Sequence, residues 1–250
     1  MRVAAIASLL CAAGCRQLLG LDSPDLGSGS NQPDARATDA SGDGAPLRDA
    51  TPSAATFVGG ATANGNAMVT AMLPGEGAGD VLVIGVAWAG TATVTLSDTD
   101  GNTYVAIDQV GTSDPFTLRV FSANISSVTS TNTITAQLSG NDALAIVIAD
   151  YRGLAGAVPL DGFIGTTGAG TPVTSSSLTT TNANDILTAI GVSASPMGAA
   201  APFTSRERSP LGEVLLEDLA VTTAGSYQAS ETQSGSGNWM MELVALRVAP

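Results

Sequence analysis

The chain has 250 residues, with 22 acids against 9 basic residues, no histidine and a net charge of −13. Every basic residue is an arginine, so Ser-His-Asp and Cys-His nucleophilic chemistry, lysine Schiff bases, the P-loop lysine and histidine metal sites are excluded, and a polyanion-binding surface is disfavoured. The length fits one sandwich-sized domain or two small ones. An apolar share of 44% with only 4% aromatic residues and 29 glycines points to a β protein with small side chains.

The chain opens on Met1-Arg2, then an apolar run from Val3 to Ala13 broken only by Ser8, then Gly14 and Cys15. A charged start, a short apolar stretch and small residues before a junction read as a secretory signal peptide over residues 1–14. As a helix the run would span about 16 Å, well short of a bilayer core of ~30 Å, so a transmembrane anchor is not expected. The only two cysteines are Cys11 and Cys15, both at this junction, which leaves no disulfide framework downstream. The tetrad Ala12-Ala13-Gly14-Cys15 resembles the lipobox of bacterial lipoproteins. That resemblance implies a diacylglycerol thioether and an acylated N-terminus at Cys15. Arg16 in place of the aspartate that retains family members at the inner membrane implies an outer-membrane location. Two or more acyl chains would make such anchoring effectively permanent.

Residues 15–55 are then the lipidated N-terminus and an acidic linker. Between Asp22 and Ala55 the composition is mainly Asp, Ser, Pro, Gly and Ala, with only two leucines and no aromatic residue. This is too little apolar area to offset the entropy of ordering. As a flexible chain it would reach roughly 30–35 Å and act as a tether.

From 56 to 250 short β-rich runs alternate with Gly, Asn, Asp and Ser clusters, which predicts an all-β sandwich or barrel. Fourteen candidate runs can be read, none of them between 152 and 172, and fourteen is expected to be an overcount. Val81 to Trp88 and Ala143 to Ala149 are apolar on both faces and belong in mid-sheet. Thr93 to Leu96 and Thr133 to Leu138 alternate and should have one wet face. Gly79-Asp80-Val81-Leu82 is echoed by Asn184-Asp185-Ile186-Leu187, as two related hairpins of a double Greek key would be. The segments Ser97-Asp98-Thr99-Asp100-Gly101-Asn102-Thr103-Tyr104, Asp150-Tyr151-Arg152-Gly153-Leu154, Asn182 to Leu187 and Gly237-Asn238-Trp239-Met240-Met241 resemble the jelly-roll-like β-sandwich domains of uncharacterised bacterial secreted and surface proteins. The resemblance implies a fold and a surface location, and no catalytic residues.

Asp98, Asp100 and Asn102 place side-chain oxygens at alternate positions around Gly101, a pattern suited to calcium. A calcium loop begun at Asp98 would nevertheless end on the uncharged Gln109. A tight hairpin between 92–97 and 103–109 is the competing expectation. The one enzyme class left open needs only two carboxylates, a glycoside hydrolase, with Glu207, Glu213, Glu217, Asp218, Glu231 and Glu242 as candidates. Glu242 lies in an apolar run and is expected to pair with Arg247 or Arg119. Arg206-Glu207-Arg208 is expected to be a locally salt-bridged loop. Trp88 and Trp239 read as core, which leaves Tyr104, Tyr151 and Tyr227 for stacking on a sugar. The expected function is a lipid-anchored, surface-displayed, non-catalytic β-sandwich acting as an adhesion, carbohydrate-binding or structural interaction module. Its expected partners are the membrane and a glycan or surface protein, with no nucleic acid, no cofactor apart from calcium and a monomeric body. The alternative is a surface glycoside hydrolase.

Overall fold

The computed structural model describes residues 54–108, 111–113, 115–128, 131–156 and 158–250, which lie in one compact unit. The segment read as a signal peptide, Cys15 and the stretch read as a linker up to residue 53 fall outside the described residues. Among the described residues there is no helix, and the strands form several antiparallel sheets.

In the first half β1 (Thr56–Asn66), β2 (Met68–Leu73), β3 (Val81–Ala89), β4 (Val94–Asp98), β5 (Val105–Ala106), β6 (Gly111–Ser113), β7 (Phe116–Asn124), β8 (Asn132–Leu138) and β9 (Ala143–Arg152) make two sheets. The long one has the order β1-β9-β3-β7-β5, with β6 also on β7, and the short one β2-β8-β4. In the second half the strands are β10 (Leu160–Ala169), β11 (Val173–Thr174), β12 (Leu178–Thr179), β13 (Asp185–Ser193), β14 (Met197–Ala199), β15 (Thr204–Arg208), β16 (Val214–Val221), β17 (Ser226–Tyr227), β18 (Ser230–Gln233) and β19 (Asn238–Arg247). They form β10-β19-β13-β16-β15, β11-β18-β14 and the pair β12-β17. The order β1-β9-β3-β7 is repeated as β10-β19-β13-β16, and β2-β8-β4 as β11-β18-β14. This is the two-sheet arrangement of a jelly roll. The all-β, jelly-roll-like expectation therefore holds, and the arrangement occurs twice.

Three apolar cores set the layers. One lies between the short and long sheets of the first half, with Leu82, Ile84, Val86, Ile134 and Ile148. The central core joins the two long sheets through Val83, Val120, Val147, Ile190, Leu216 and Val244. The third lies under the short strands of the second half, with Leu187, Leu215, Met241 and Leu243. Both long sheets are thus covered on both faces, which explains why β3, β13 and β19 are buried along nearly their whole length. By contrast, β2 alternates exposed and buried because its outer face meets solvent. Gly85 on β3 leaves the space that Ile190 of β13 fills, since a Cβ there would stand 2.7 Å from the isoleucine Cγ2.

The sequence echo marks equivalent places in the two repeats. Asp185 opens β13 in register with Arg247, and Asp80 precedes β3 beside Arg152, the residue after Tyr151, which pairs with Val81. The segments that follow the two arginines pair with each other. Leu154 bridges Val248, the Ala155 N–H donates to the Arg247 carbonyl at 2.9 Å, and the Ala249 N–H donates to Gly153 at 2.8 Å.

Three local expectations are corrected. Residues 98–102 do not close a hairpin, because β4 pairs with β8 and β5 with β7, so the turn carries the chain from one sheet to the other. The fourteen candidate runs are not an overcount, since nineteen strands are present among the described residues because the fold is duplicated. β10 carries no clear strand signal, since its glycines look like loop. Each instead makes room for a neighbour: a Cβ at Gly162 would lie 3.3 Å from Leu178, at Gly165 2.5 Å from Glu242, and at Gly168 within the Trp239 ring.

Candidate functional site

The six carboxylates that could serve a hydrolase form no accessible pair, since those that neighbour each other, Glu217, Asp218 and Glu231, are buried. Glu217 of β16 is fully buried in the third core, on the same face as Leu215. Glu231 of β18, also fully buried, lies over Gly191, where any Cβ would collide with its Oε2. Glu242 of β19, 2% exposed, faces the central core in a notch formed by Gly165 and Gly111. Among the described residues neither oxygen of Glu231 nor Oε2 of Glu242 has a hydrogen-bond partner. Burial pushes the Glu217 and Glu242 carboxyls up to about 8. It pushes Glu231 well above its ordinary value, with neighbouring Glu217 adding to the effect. Burial favours the protonated form of all three, and none is open to substrate.

Glu242 pairs with neither expected arginine, because Arg247 reaches Asp161 at 3.3 Å and Arg119 reaches Asp108 at 3.4 Å. Arg206-Glu207-Arg208 is not a self-paired loop but part of β15. There the Arg206 Nε donates to Asp218 at 2.9 Å and its guanidinium lies over the Phe57 ring, 4.8 Å from the centroid. Asp218 also accepts from the Tyr151 hydroxyl at 2.8 Å. Glu207 sits half-buried against Gly60.

At the proposed calcium turn the Asp98 carboxylate accepts the Asn102 N–H at 2.9 Å, the Asn102 amide at 2.8 Å, the Tyr104 hydroxyl at 2.5 Å and the Asn132 amide at 3.1 Å. Burial raises its pKa, but these hydrogen bonds outweigh burial and hold the carboxyl below its ordinary value. Buried Glu76 lies close by and is pushed up to about 7 by burial and by Asp100, Asp98 and Asp80, against one hydrogen bond from Asn132. Among the described residues no three His, Cys, Asp or Glu side chains converge as metal ligands. A calcium ion on Asp98, Asp100 and Asn102 would have to displace donors that Asp98 already holds.

Trp88 and Trp239 are core residues, 5% and 6% exposed. Tyr151 is fully buried and stacks edge-on against Phe57, so it offers no face to a sugar. Tyr104 is committed to Asp98, and Tyr227 donates to the Thr223 carbonyl at 2.6 Å.

The concave site lies elsewhere, at one end of the central core, and the sequence patterns did not single it out. It is a cleft of about 310 Å³ between the two long sheets. Its floor comes from Ala87 and Ala89 of β3 and Ala143 and Ala145 of β9, with Ala87 and Ala145 directly opposite in register. Val192 of β13 and Val214 of β16 face them from the second repeat. Packed sheets stand roughly 10 Å apart, and a methyl group is too short to fill its share of that gap. Phe116 closes one side, while Asn64, Asn66, Ser209, Leu211 and Glu213 form the mouth. The turn 209–213 is held by the Ser209 hydroxyl, which accepts the Val214 N–H at 3.0 Å, and by Gly212 at φ 79°; it leaves Leu211 62% exposed. Alanines at alternate positions of two neighbouring strands were the available signal, but only strand pairing shows that they share one patch. A second hollow of about 430 Å³, lined by Asn182, Asn184, Arg247 and neighbours, contains no aromatic residue or acid.

The chain matches no protein-family model, no curated protein and no solved structure.

Proposed function

We propose that this chain is a lipid-anchored, surface-displayed, non-catalytic β-sandwich protein that works as an adhesion, carbohydrate-binding or structural interaction module. Cys15 would carry the lipid at the outer membrane, and the linker would hold the body away from it. One observation carries the non-catalytic reading: the carboxylates in apolar surroundings, Glu217, Glu231 and Glu242, are at most 2% exposed, while the apolar cleft has a single acid, Glu213, at its mouth. Glycoside hydrolysis needs two carboxyl groups roughly 5–10 Å apart across one accessible bond. A shallow site with few polar groups at the strand ends suits recognition.

The anchor is tested by the intact mass of membrane-extracted protein, wild type beside Cys15→Ser. Loss of residues 1–14 with acyl chains gained on the wild type alone is expected. Soluble, unacylated protein in both cases would remove the tethered part of the proposal. Saturable release of reducing sugar from any glycan would remove the non-catalytic part.

A further inference from the structure

The cleft has a chemistry specific enough to name its ligand. Its walls are methyl, isopropyl and phenyl groups from Ala87, Ala145, Val192, Val214 and Phe116. A sugar ring placed there would turn hydroxyls onto surfaces that offer no partner, at a cost of about 1–3 kcal/mol for each buried group left unpaired. An aliphatic or aromatic body loses nothing and gains the burial. The volume of about 310 Å³ is at the low end of the roughly 300–1,000 Å³ usual for small-ligand sites, so one ring or a short chain fits and a polymer does not. The polar groups are confined to the mouth. The Ser209 hydroxyl already accepts the Val214 N–H. Glu213, half-buried on the second repeat, is the only charged residue lining the cleft among the described residues, and no arginine is among them. The Asn64 and Asn66 amides at the mouth donate and accept alike, so Glu213 sets the sign of the head group, and a carboxylate, which only accepts hydrogen bonds, is complemented by a donor that carries positive charge. A carboxylate or phosphate head would meet like charge with no cation to offset it.

We propose that the cleft binds small apolar molecules bearing a primary amine, with the ring or chain on the alanine floor and the ammonium held at Glu213. This rests on the reading of the body as a non-catalytic binder and gives that binder a ligand class. Free amines and the amino termini of short apolar peptides share this chemistry, and one probe set separates head-group preference from binding itself.

The test is calorimetric titration of the full-length chain at pH 7 with cyclohexylamine, cyclohexanol and cyclohexanecarboxylate, which share a ring and differ in the head group. The amine is expected to bind about fivefold tighter than the alcohol, the range of a partly exposed ion pair, and the carboxylate is expected to give no heat. In Glu213→Gln the amine advantage should vanish while the alcohol binds as before. Ala145→Leu, and independently Ala89→Leu, should abolish binding of every probe by filling the floor, with the melting profile reporting that each variant is folded. Equal binding of amine and alcohol to the wild type, or an amine preference that survives Glu213→Gln, overturns the amine assignment and leaves the binding cleft standing. No binding of any probe to the wild type, or binding unchanged in both leucine variants, overturns this cleft as the binding site as well.

Discussion

At the scale of single residues, the chain keeps its acids where acids are rarely kept. Among the described residues nine carboxylates are buried, so part of the negative charge that composition implies is folded inward, where burial favours the protonated form of Glu217, Glu231 and Glu242. Glycine makes this burial fit: Gly191 gives space to Glu231, and Gly165 with Gly111 to Glu242. The consequence for stability has a definite sign. A carboxyl whose pKa is raised on folding contributes fully below the ordinary carboxylate range, and that contribution is lost as pH climbs toward the folded value. For Glu217 and Glu242 the window runs from about pH 4 to about pH 8. Asp161 acts in the opposite sense. Hydrogen bonds from Thr181, Asn182 and Arg247 overcome its burial and lower it to about 2, so its contribution is lost only in strong acid. The melting temperature should therefore fall steadily from pH 5 to pH 8. In Glu242→Gln the difference in unfolding free energy between those two pH values should shrink by roughly 3–4 kcal/mol, as measured by denaturant titration at each pH. An unchanged difference would mean that Glu242 is ionised in the folded protein.

At the scale of elements, β10 shows how glycine can mark a strand instead of breaking one. Its register with β19 places Gly165 opposite Glu242 and Gly168 opposite Trp239, so the bulky partner on β19 takes the volume that β10 gives up. Gly168→Ala, although it raises intrinsic strand propensity, should destabilise the protein by about 2 kcal/mol, because the new methyl overlaps the Trp239 ring. Thermal unfolding measures this, and a neutral result would require the indole to move freely. The group Phe57, Tyr151, Arg206 and Asp218 ties β1 and β9 of the first repeat to β15 and β16 of the second. Removing one donor from it in Tyr151→Phe should cost about 1–2 kcal/mol, since the Asp218 oxygen it served is buried. That loss should be the same whichever repeat's unfolding is followed.

At the scale of the whole molecule, the two jelly rolls share the central core. Val83, Val120 and Val147 from one long sheet have as partners Ile190, Leu216 and Val244 from the other. Parting the repeats would expose an entire sheet face on each, so they should unfold together. The two tryptophans report one repeat each, Trp88 on β3 and Trp239 on β19. Denaturation curves followed by fluorescence in Trp239→Phe and in Trp88→Phe should each be a single transition with the same slope against denaturant. Two separated transitions in the wild type would show that the central core does not couple the repeats.

What residue order alone determined is what depends on local pattern. The two-faced apolar runs at 81–88 and 143–149 placed β3 and β9 in mid-sheet, and the alternation at 133–138 gave β8 its wet face, whereas the matched Asp80 and Asp185 segments read as two hairpins of one sandwich and only strand order shows that they belong to two repeats. The strand placements follow from side-chain period and burial, which neighbouring residues in one strand carry by themselves. Tertiary structure decided the remainder. Asp218 acquires Tyr151 and Arg206, and Glu242 acquires no arginine. The cleft exists because alanines from β3 and β9 come to lie side by side under valines far away in the chain. A carboxylate's partner and the space left by a methyl group are properties of what stands across the gap between two sheets, and spacing along one strand does not record what stands there.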